Sequence, residues 1–399
     1  MSHRFVSATA VAIFAVGLAA CSPSSPSGPS SAPVVSTAVS PAAASDQGTG
    51  REPAWSTELG TESWSNPAAL GDLVVFGAND GVVRAIEAES GEVAWEITTG
   101  GQVRGGVAVA DDAAFVVSDD GAVYAMDASG TVTWTTALGV PVADRGDYDN
   151  YGSTPAIGGG VVYAATQSGH VGALEAATGQ LLWSVDVGAP VEAGLALGEG
   201  LLHVSTMGNR HVALSVADGS LVWELPTGAP ATTTPYVMGE RVIVGSRSAN
   251  VQVRDEATGD KAWSVSLGGS WVQSGAAPID EDHFAIGSSD YKAVRAFNVA
   301  SGEGLWLTKV VGWPWAIPVV ADDVVYASEI RLDYQLPWDT ALWALDAQTG
   351  EVLWTASGGP ALEWVPDGYE TYGNGASPVV VGDLVIVPGL DGVVRAFER

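Results

Sequence analysis

The stretch that decides the fold reads ALDAQTGEVLW and occupies residues 344–354. An acidic residue and a Thr-Gly turn precede a tryptophan that stands four positions after the glycine. Variants of this pattern precede seven tryptophans, and an eighth stands near the start of the repeats without it. Successive members of the set lie 39 to 49 residues apart: Trp55, Trp95, Trp134, Trp183, Trp223, Trp263, Trp306 and Trp354. A self-similar period of this length indicates a propeller or another array of stacked units.

Each period contains four strand-like runs, as residues 154–187 illustrate. The runs read TPAI, VVYAA, HVGALE and LLWSV, and they are separated by short turns rich in glycine. Such short apolar or alternating runs between glycine turns predict β-strands. Four antiparallel strands per period make a propeller blade.

The two ends of the repeat region decide between a closed ring and a linear solenoid. Residues 391–398, DGVVRAFE, begin a repeat that never reaches its tryptophan, whereas residues 53–56, PAWS, are a tryptophan strand with nothing before it. Joined in one sheet they complete a blade and remove the exposed edges of an open array. We therefore predict an all-β fold, an eight-bladed β-propeller over residues 51–399 with four-stranded antiparallel blades.

Composition narrows the classes of partner. The 399 residues include 16 Lys and Arg against 46 Asp and Glu, a formal net charge of -30. Such a chain repels phosphate backbones, so nucleic acid is excluded as an expected partner. The single cysteine, Cys21, precedes the repeats, so the folded part can hold neither a disulfide nor a thiolate metal site.

The N-terminal region is typical of export. Arg4 precedes an apolar stretch over residues 5–20, and LAAC at 18–21 resembles the cleavage site of bacterial lipoproteins. We expect a signal peptide over 1–20, a lipid-modified Cys21, and a disordered Ser/Pro/Ala-rich tether over 21–50. An uncleaved membrane helix is the alternative, but the apolar stretch is short for a span. The expected location is the outer face of the bacterial cell membrane.

The motif A-x-D/E-x-x-T/S-G-x-x-x-W resembles the tryptophan-docking repeat of the pyrroloquinoline-quinone-like (PQQ-like), quinoprotein dehydrogenase superfamily, over nearly all of residues 53–398. The resemblance implies that the eight repeat tryptophans pack between neighbouring blades and are structural. It also implies one of two functions. Quinone-dependent dehydrogenases of the superfamily often carry an adjacent cysteine pair, which this chain lacks, so the resemblance favours the non-enzymatic, BamB-like branch. A PQQ- and calcium-dependent oxidoreductase that uses the channel mouth is the alternative.

Long insertions and non-repeat aromatic residues fall in loops predicted to emerge on one face of the ring. Residues 144–151, 329–338 and 364–372 are the insertions. Together these loops predict an aromatic and acidic collar around the channel, and loops displayed on a rigid scaffold commonly carry function. Two interpretations stay open, a ligand or partner face and a plug of the channel mouth. The aromatic collar residues are Trp64, Tyr148, Tyr151, Trp271, Trp313, Trp315, Trp338, Trp364, Tyr369 and Tyr372.

The sequence offers few candidate metal-binding or catalytic residues. Asp144, Asp147 and Asp149 offer the hard oxygens that calcium requires, but without the spacing of an EF-hand. The sequence contains no G-x-S-x-G, H-E-x-x-H, P-loop or G-x-G-x-x-G motif, so we assign no catalytic residue and no cofactor beyond candidate calcium. His203 and His211 fall in one blade and could approach each other, although structural roles are expected for the histidines. The predicted function is a membrane-tethered, non-catalytic binding or scaffold module for an envelope protein or glycan.

Overall fold

The regular structure of the protein is built from β-strands. The computed structural model describes residues 50–142, 150–269, 271–331, 340–358 and 372–399, all within one compact unit, Pro33–Arg399. These residues form eight four-stranded antiparallel sheets, here called blades A to H, one of which carries a fifth strand. Within the described ranges no helix has the length and apolar character needed to cross a membrane. The predicted eight-bladed β-propeller is confirmed.

The first four blades follow the chain from the innermost to the outermost strand. Blade A consists of Ala68–Leu70, Leu73–Gly77, Val82–Glu87 and Val93–Thr98. Blade B consists of Ala108–Ala110, Ala113–Val117, Ala122–Asp127 and Val132–Ala137. Blade C consists of Ala156–Gly158, Val161–Ala165, His170–Glu175 and Leu181–Asp186. Blade D consists of Ala196–Leu197, Leu201–Thr206, Arg210–Ser215 and Leu221–Pro226.

The remaining blades repeat this order, except that the last takes its outer strand from the start of the chain. Blade E consists of Tyr236–Met238, Arg241–Gly245, Asn250–Asp255 and Lys261–Ser266. Blade F consists of Ala276–Pro278, His283–Ser288, Ala293–Asn298 and Gly304–Lys309. Blade G consists of Val319–Ala321, Val324–Ser328, Thr340–Asp346 and Val352–Ser357. Blade H consists of Val379–Val381, Leu384–Pro388, Val393–Glu398 and Trp55–Glu58.

Blade H closes the ring as the chain ends predict. Trp55 pairs with Ala396 and Glu58 pairs with Val393 in an antiparallel register. The Leu59 N–H extends the pairing by donating to the Gly392 carbonyl at 2.8 Å. The N-terminal strand therefore covers the edge that the C-terminal strand would otherwise expose, which is how closed β-architectures avoid unpaired edges.

The repeat tryptophans fasten each blade to the next. Trp306 in blade F is a typical case: its indole N–H donates to the Ala347 carbonyl in blade G at 2.8 Å. Gly350 follows on the same turn with a φ of 72°, and a Cβ there would lie 2.6 Å from the Trp306 ring. Glycine is thus required both for the left-handed backbone and for the close approach. Equivalent indole bonds of 2.8–3.1 Å are made by Trp55, Trp95, Trp134, Trp183, Trp223 and Trp263.

The hydrophobic core is divided among the seams between neighbouring blades. One cluster joins Val253 and Trp263 of blade E to Phe284 and Phe297 of blade F. The ring centres of Phe284 and Phe297 are 5.8 Å apart, and both side chains are fully buried. A seam of this kind buries the apolar faces of two sheets, which holds the two neighbouring blades in fixed positions.

Three short strands were not anticipated by the repeat pattern. Gly50–Arg51 adds a parallel strand to the outer edge of blade G, where Gly50 pairs with Thr355. Ile330–Arg331 pairs with Tyr372–Gly373 above the same part of the ring. The first strand places the start of the described chain on the circumference of the propeller.

Candidate functional site

One face of the propeller carries both classes of loop expected to form the collar. The loops that lead into innermost strands hydrogen-bond to the loops that join second and third strands. In blade D the Met207 N–H donates to the Pro190 carbonyl at 2.9 Å, and in blade E the Arg247 N–H donates to the Pro230 carbonyl at 2.9 Å. The two loop classes therefore share one face, here called the collar face.

Five of the collar aromatic residues meet in a single cluster. Trp64, Trp271, Trp313, Trp315 and Tyr151 come from loops leading into four different blades, and they pack with Ile330 and Leu390. The ring centres of Trp64 and Tyr151 are 5.3 Å apart at 81°, an edge-to-face contact. Those of Trp313 and Trp315 are 6.0 Å apart and nearly parallel, whereas those of Trp271 and Trp315 are 6.3 Å apart. Residues far apart in the chain are thus gathered at one site.

Burial separates these five residues into two groups. Trp64 is 1% exposed and Trp315 is 4% exposed, so neither presents a ring face to a ligand. Trp315 also uses its indole N–H, which donates to the Ser289 hydroxyl at 2.7 Å. Trp271, Trp313 and Tyr151 are partly buried and keep some surface. The two buried tryptophans anchor the cluster, and the other three present its surface.

Basic side chains lie over the partly exposed tryptophans, which the sequence analysis missed. The Arg247 guanidinium lies 4.5 Å from the centre of the Trp271 ring, and Lys292 Nζ lies 5.5 Å from the centre of the Trp313 ring. Contacts at these distances are cation–π interactions. Because only 16 of the 399 residues are Lys or Arg, each basic residue could have been weighed as a candidate for the collar. The sequence does not show, however, which of them the fold brings to the aromatic cluster.

A buried carboxyl group supports the loop that bears Trp313 and Trp315. Glu329 is 0% exposed, and its Oε2 accepts the Val311 N–H at 3.1 Å and the Gly312 N–H at 2.8 Å. Arg331 Nη2 lies 3.4 Å from Oε1. Burial raises the pKa of Glu329 from 4.5 to about 7, although the Arg331 charge and the bonds from the loop oppose that change. Nothing in the local sequence distinguishes Glu329 from an ordinary loop residue.

The remaining predicted site residues lie outside the described residues. These are the calcium candidates Asp144, Asp147 and Asp149, together with Tyr148, Trp338, Trp364 and Tyr369. Tyr372 is described only through its backbone pairing with Arg331. Within the described ranges no group of three or more His, Cys, Asp or Glu side chains is arranged to hold a metal ion.

The described part of the collar does not favour the quinone. A planar cofactor needs a free aromatic face, and the faces of Trp64 and Trp315 are buried against protein. The Trp271 ring has Arg247 over it and Trp315 beside it.

Comparisons with known proteins agree on one family. A family model described as outer membrane protein assembly factor BamB matches residues 39–184, 167–270 and 247–399. Curated proteins of that name are similar: the one from Yersinia pestis is 31% identical over 146 residues, 34% of this chain and 37% of that protein. The one from Burkholderia pseudomallei is 26% identical over 258 residues, 60% of this chain and 64% of that protein. The matched regions thus span between about a third and two thirds of these relatives.

Solved structures show the same fold. The crystal structure of BamB from Moraxella catarrhalis aligns with a TM-score of 0.65 and 20% identity, covering 88% of this chain and all of that one. The computationally designed Ika8 protein aligns with the same TM-score at 15% identity, over 89% of this chain. At these identities the structural likeness speaks to the fold.

Proposed function

Because this chain belongs to the family described as outer membrane protein assembly factor BamB, we propose that it is a non-catalytic scaffold of the cell envelope that binds a partner protein through its collar face. The relatives from Yersinia pestis and Burkholderia pseudomallei carry that assembly role in their names. The observation that carries the proposal is the gathering of Trp64, Tyr151, Trp271, Trp313 and Trp315 into one cluster on a single face of a closed ring.

The architecture suits a docking platform. The seams hold the blades, so the five clustered aromatic residues are positioned before a partner arrives, and such preorganisation lowers the entropic cost of binding. Tryptophan and arginine are the residue types most enriched among those that dominate binding energy at protein interfaces. Trp271 with Arg247 above it is a pair of this kind.

A protein partner fits the cluster better than a glycan does. Stacking against a sugar requires an open ring face, whereas Arg247 lies over the Trp271 ring and Lys292 lies over the Trp313 ring. The accessible surface of the cluster therefore combines the edges of the tryptophan rings with the charged ends of Arg247 and Lys292. Aromatic residues and arginine, such as Trp271 and Arg247, are enriched at protein interfaces.

The envelope location rests on the N-terminal sequence. We propose that residues 1–20 are removed, that Cys21 carries the lipid anchor and that residues 21–50 tether the propeller to the outer face of the cell membrane. The first described strand, Gly50–Arg51, lies at the outer edge of blade G, which supports a tether attached away from the central channel.

Site-specific photo-cross-linking in the native envelope tests the proposed face. Tyr291, 37% exposed on the collar face between two strands of blade F, is replaced by a photoreactive phenylalanine analogue of similar shape. The same analogue replaces Leu182, which is 52% exposed on the outer strand of blade C, as a matched control. After irradiation, adducts are identified by mass spectrometry.

The proposal predicts one recurrent protein adduct at position 291 and none above background at position 182. Adducts of equal yield at both positions, or a recurrent adduct at the outer strand alone, contradict it. Measurement of the melting temperature of both variants verifies that the fold is intact.

A further inference from the structure

A chain of buried polar side chains crosses the seam between blades D and E. His203 Nδ1 lies 3.2 Å from His211 Nε2, and the two rings are nearly parallel, at 15°, with their centres 5.4 Å apart. Ser205 Oγ lies 3.0 Å from His211 Nδ1, and Glu256 Oε1 lies 3.1 Å from His203 Nε2. Both histidines are 0% exposed. The predicted approach of the two histidines is thus found, and the residue that completes the chain comes from the neighbouring blade.

Glu256 joins the two blades in two ways. Its main-chain carbonyl accepts the indole N–H of Trp223 at 3.0 Å, as the equivalent carbonyls of other seams do. Its side chain turns back toward blade D and lies against Gly198, where an added Cβ would come within 2.1 Å of Glu256 Oε1. Glycine at position 198 therefore leaves the space that the carboxyl group occupies.

The equivalent positions of the other blades carry aliphatic or aromatic residues. His203 pairs with Ala213 as Tyr163 pairs with Ala173 in blade C, and His211 pairs with Leu225 as Val171 pairs with Val185. In the remaining blades the strand registers place apolar residues at the His211 position, namely Val83, Val123, Val251, Val294, Leu342 and Val394. His203, His211 and Glu256, three departures from the repeat, thus meet in one hydrogen-bonded chain.

A basic residue marks the same seam. Arg254 of blade E stands where Leu174 stands in blade C and where Phe297 stands in blade F. Its guanidinium donates to the Gly259 carbonyl at 2.8 Å and to Gln252 Oε1. The charged groups that bear on the histidine pair are therefore Glu256 and Arg254, both from blade E, and Asp260 acts on Arg254.

The hydrogen bonds that run from Ser205 through the two histidines to Glu256 can all form when both imidazoles are neutral. The Ser205 hydroxyl then donates to His211, the His211 Nε2–H donates to His203, and the His203 Nε2–H donates to Glu256. Every ring nitrogen has a partner, so an added proton places net positive charge in a buried seam that already contains Arg254. Burial lowers the pKa of both histidines; the His203 and Arg254 charges lower that of His211 further, whereas Glu256 partly offsets the change at His203.

We propose that the seam between blades D and E is a pH-sensitive joint, which opens when the His203–His211 pair takes up a proton while the apolar seams stay closed. Opening exposes the imidazoles to water, where their pKa takes the ordinary value of about 6.5. Acid therefore favours the opened seam. The opening equilibrium should rise by up to about tenfold per pH unit below pH 6.5 for each proton taken up.

Hydrogen–deuterium exchange of the full-length protein at pH 7.5 and pH 5.5 tests this joint, with rates corrected for the chemical effect of pH. In the wild type, protection of Leu201–Thr206 and Asn250–Asp255 should fall by about tenfold or more between the two conditions. Protection of Ala293–Asn298 in blade F, across an apolar seam, should stay unchanged. Equal protection of all three strands at both pH values would overturn the proposal.

A variant built from the residues of other blades isolates the cause. H203Y/H211V/E256A places at each position the side chain found at that position in another blade, and its protection should not depend on pH. An acid-induced loss that persists in this variant contradicts the proposal.

The single variant E256Q provides an independent measurement if the triple variant does not fold. Without the carboxylate the closed seam accepts a proton less readily, so its acid-induced opening should exceed that of the wild type. Opening equal to or smaller than that of the wild type counts against the joint. H283Q, at a partly exposed histidine on the second strand of blade F that contacts Asp280, serves as the control and should behave as the wild type does.

Discussion

The guanidinium of Arg51 lies 4.8 Å from the centre of the Trp354 ring, at the seam where the two ends of the repeat region meet. In the other seams a glycine turn of the next blade covers the tryptophan. Here Arg51 covers the tryptophan, and its Nη1 donates to the main-chain oxygens of Glu398 at 2.5 Å and Arg399 at 2.9 Å, at the end of the third strand of blade H. An arginine from the N-terminal segment thus takes the place of the repeat turn.

Replacing Arg51 by alanine should weaken this seam. The change removes a cation–π contact and the bonds to the main-chain oxygens of Glu398 and Arg399, so we expect a loss of about 1–2 kcal/mol of folding free energy. Denaturant unfolding measures the loss, and hydrogen exchange should locate it in Val352–Ser357 and Val393–Glu398. Arg241→Ala, at a half-exposed ion pair with Asp255, is the control and should change stability by less than about 0.5 kcal/mol. Equal effects of the two changes would show that Arg51 does not fasten the seam.

Glu329 should make stability rise as the pH falls from 8 to 5. Its pKa is about 7 in the folded protein against 4.5 for the ordinary side chain, so the folded state binds the proton more tightly than the unfolded state does. The stabilisation is fully present below pH 4.5 and is lost as the pH rises through 7. The full difference amounts to about 3 kcal/mol.

The test of Glu329 compares the free energy of unfolding of the wild type with that of Glu329→Gln across this range. The difference between them should depend on pH, with the wild type gaining relative to the variant as the pH falls. A difference that is constant from pH 8 to pH 5 contradicts the assignment.

The fold was predictable because the same four-strand pattern recurs in each repeat of the sequence. Seven copies of the turn and tryptophan pattern fixed the strand count, and the half repeats at Trp55 and Ala396 predicted the closure that their pairing confirms. The strand formed by Gly50–Arg51 escaped prediction because two residues carry no periodicity. This strand is stabilised by pairing with the outer strand of blade G and by the contact of Arg51 with the Trp354 ring. Neither contact can be read from the local sequence.

The candidate site was predictable only in its location. The aromatic residues could be assigned to one face because they lie in loops that lead into innermost strands or join second and third strands. Their burial could not be predicted, because it depends on which loops meet across the channel mouth. Trp64 and Tyr151 lead into blades A and C and still touch, which no spacing in the sequence reveals. Glu329 and Glu256 were missed for the same reason, since their partners belong to other loops or blades.

Lipid attachment at Cys21 is tested by Cys21→Ser. Serine lacks the sulfur atom that would carry the lipid, so the protein should move from the membrane fraction to the soluble extracytoplasmic fraction. Fractionation followed by immunoblotting measures the distribution, with Ser22→Ala as the control that stays with the membrane. Retention of the serine variant in the membrane would favour an uncleaved apolar helix instead.

Adding quinone and calcium to the purified protein should produce neither dye-linked dehydrogenase activity nor a saturable rise in melting temperature. A ligand of the folded state present at a hundredfold excess over its Kd would stabilise it by about 2.7 kcal/mol, a readily measured shift. Turnover, or saturable stabilisation by the quinone, would make the oxidoreductase the better account.

The most direct test of the collar face is the affinity of the partner protein captured at position 291. Its Kd should be measured by titration against the wild type, Trp271→Ala/Trp313→Ala and, as a matched loss of exposed apolar surface elsewhere, Leu182→Ala/Val222→Ala. The account predicts that the tryptophan variant binds at least about tenfold more weakly, since large aromatic residues dominate such interfaces, while the outer-strand variant binds as the wild type does. Equal Kd values for the wild type and a folded tryptophan variant would contradict it.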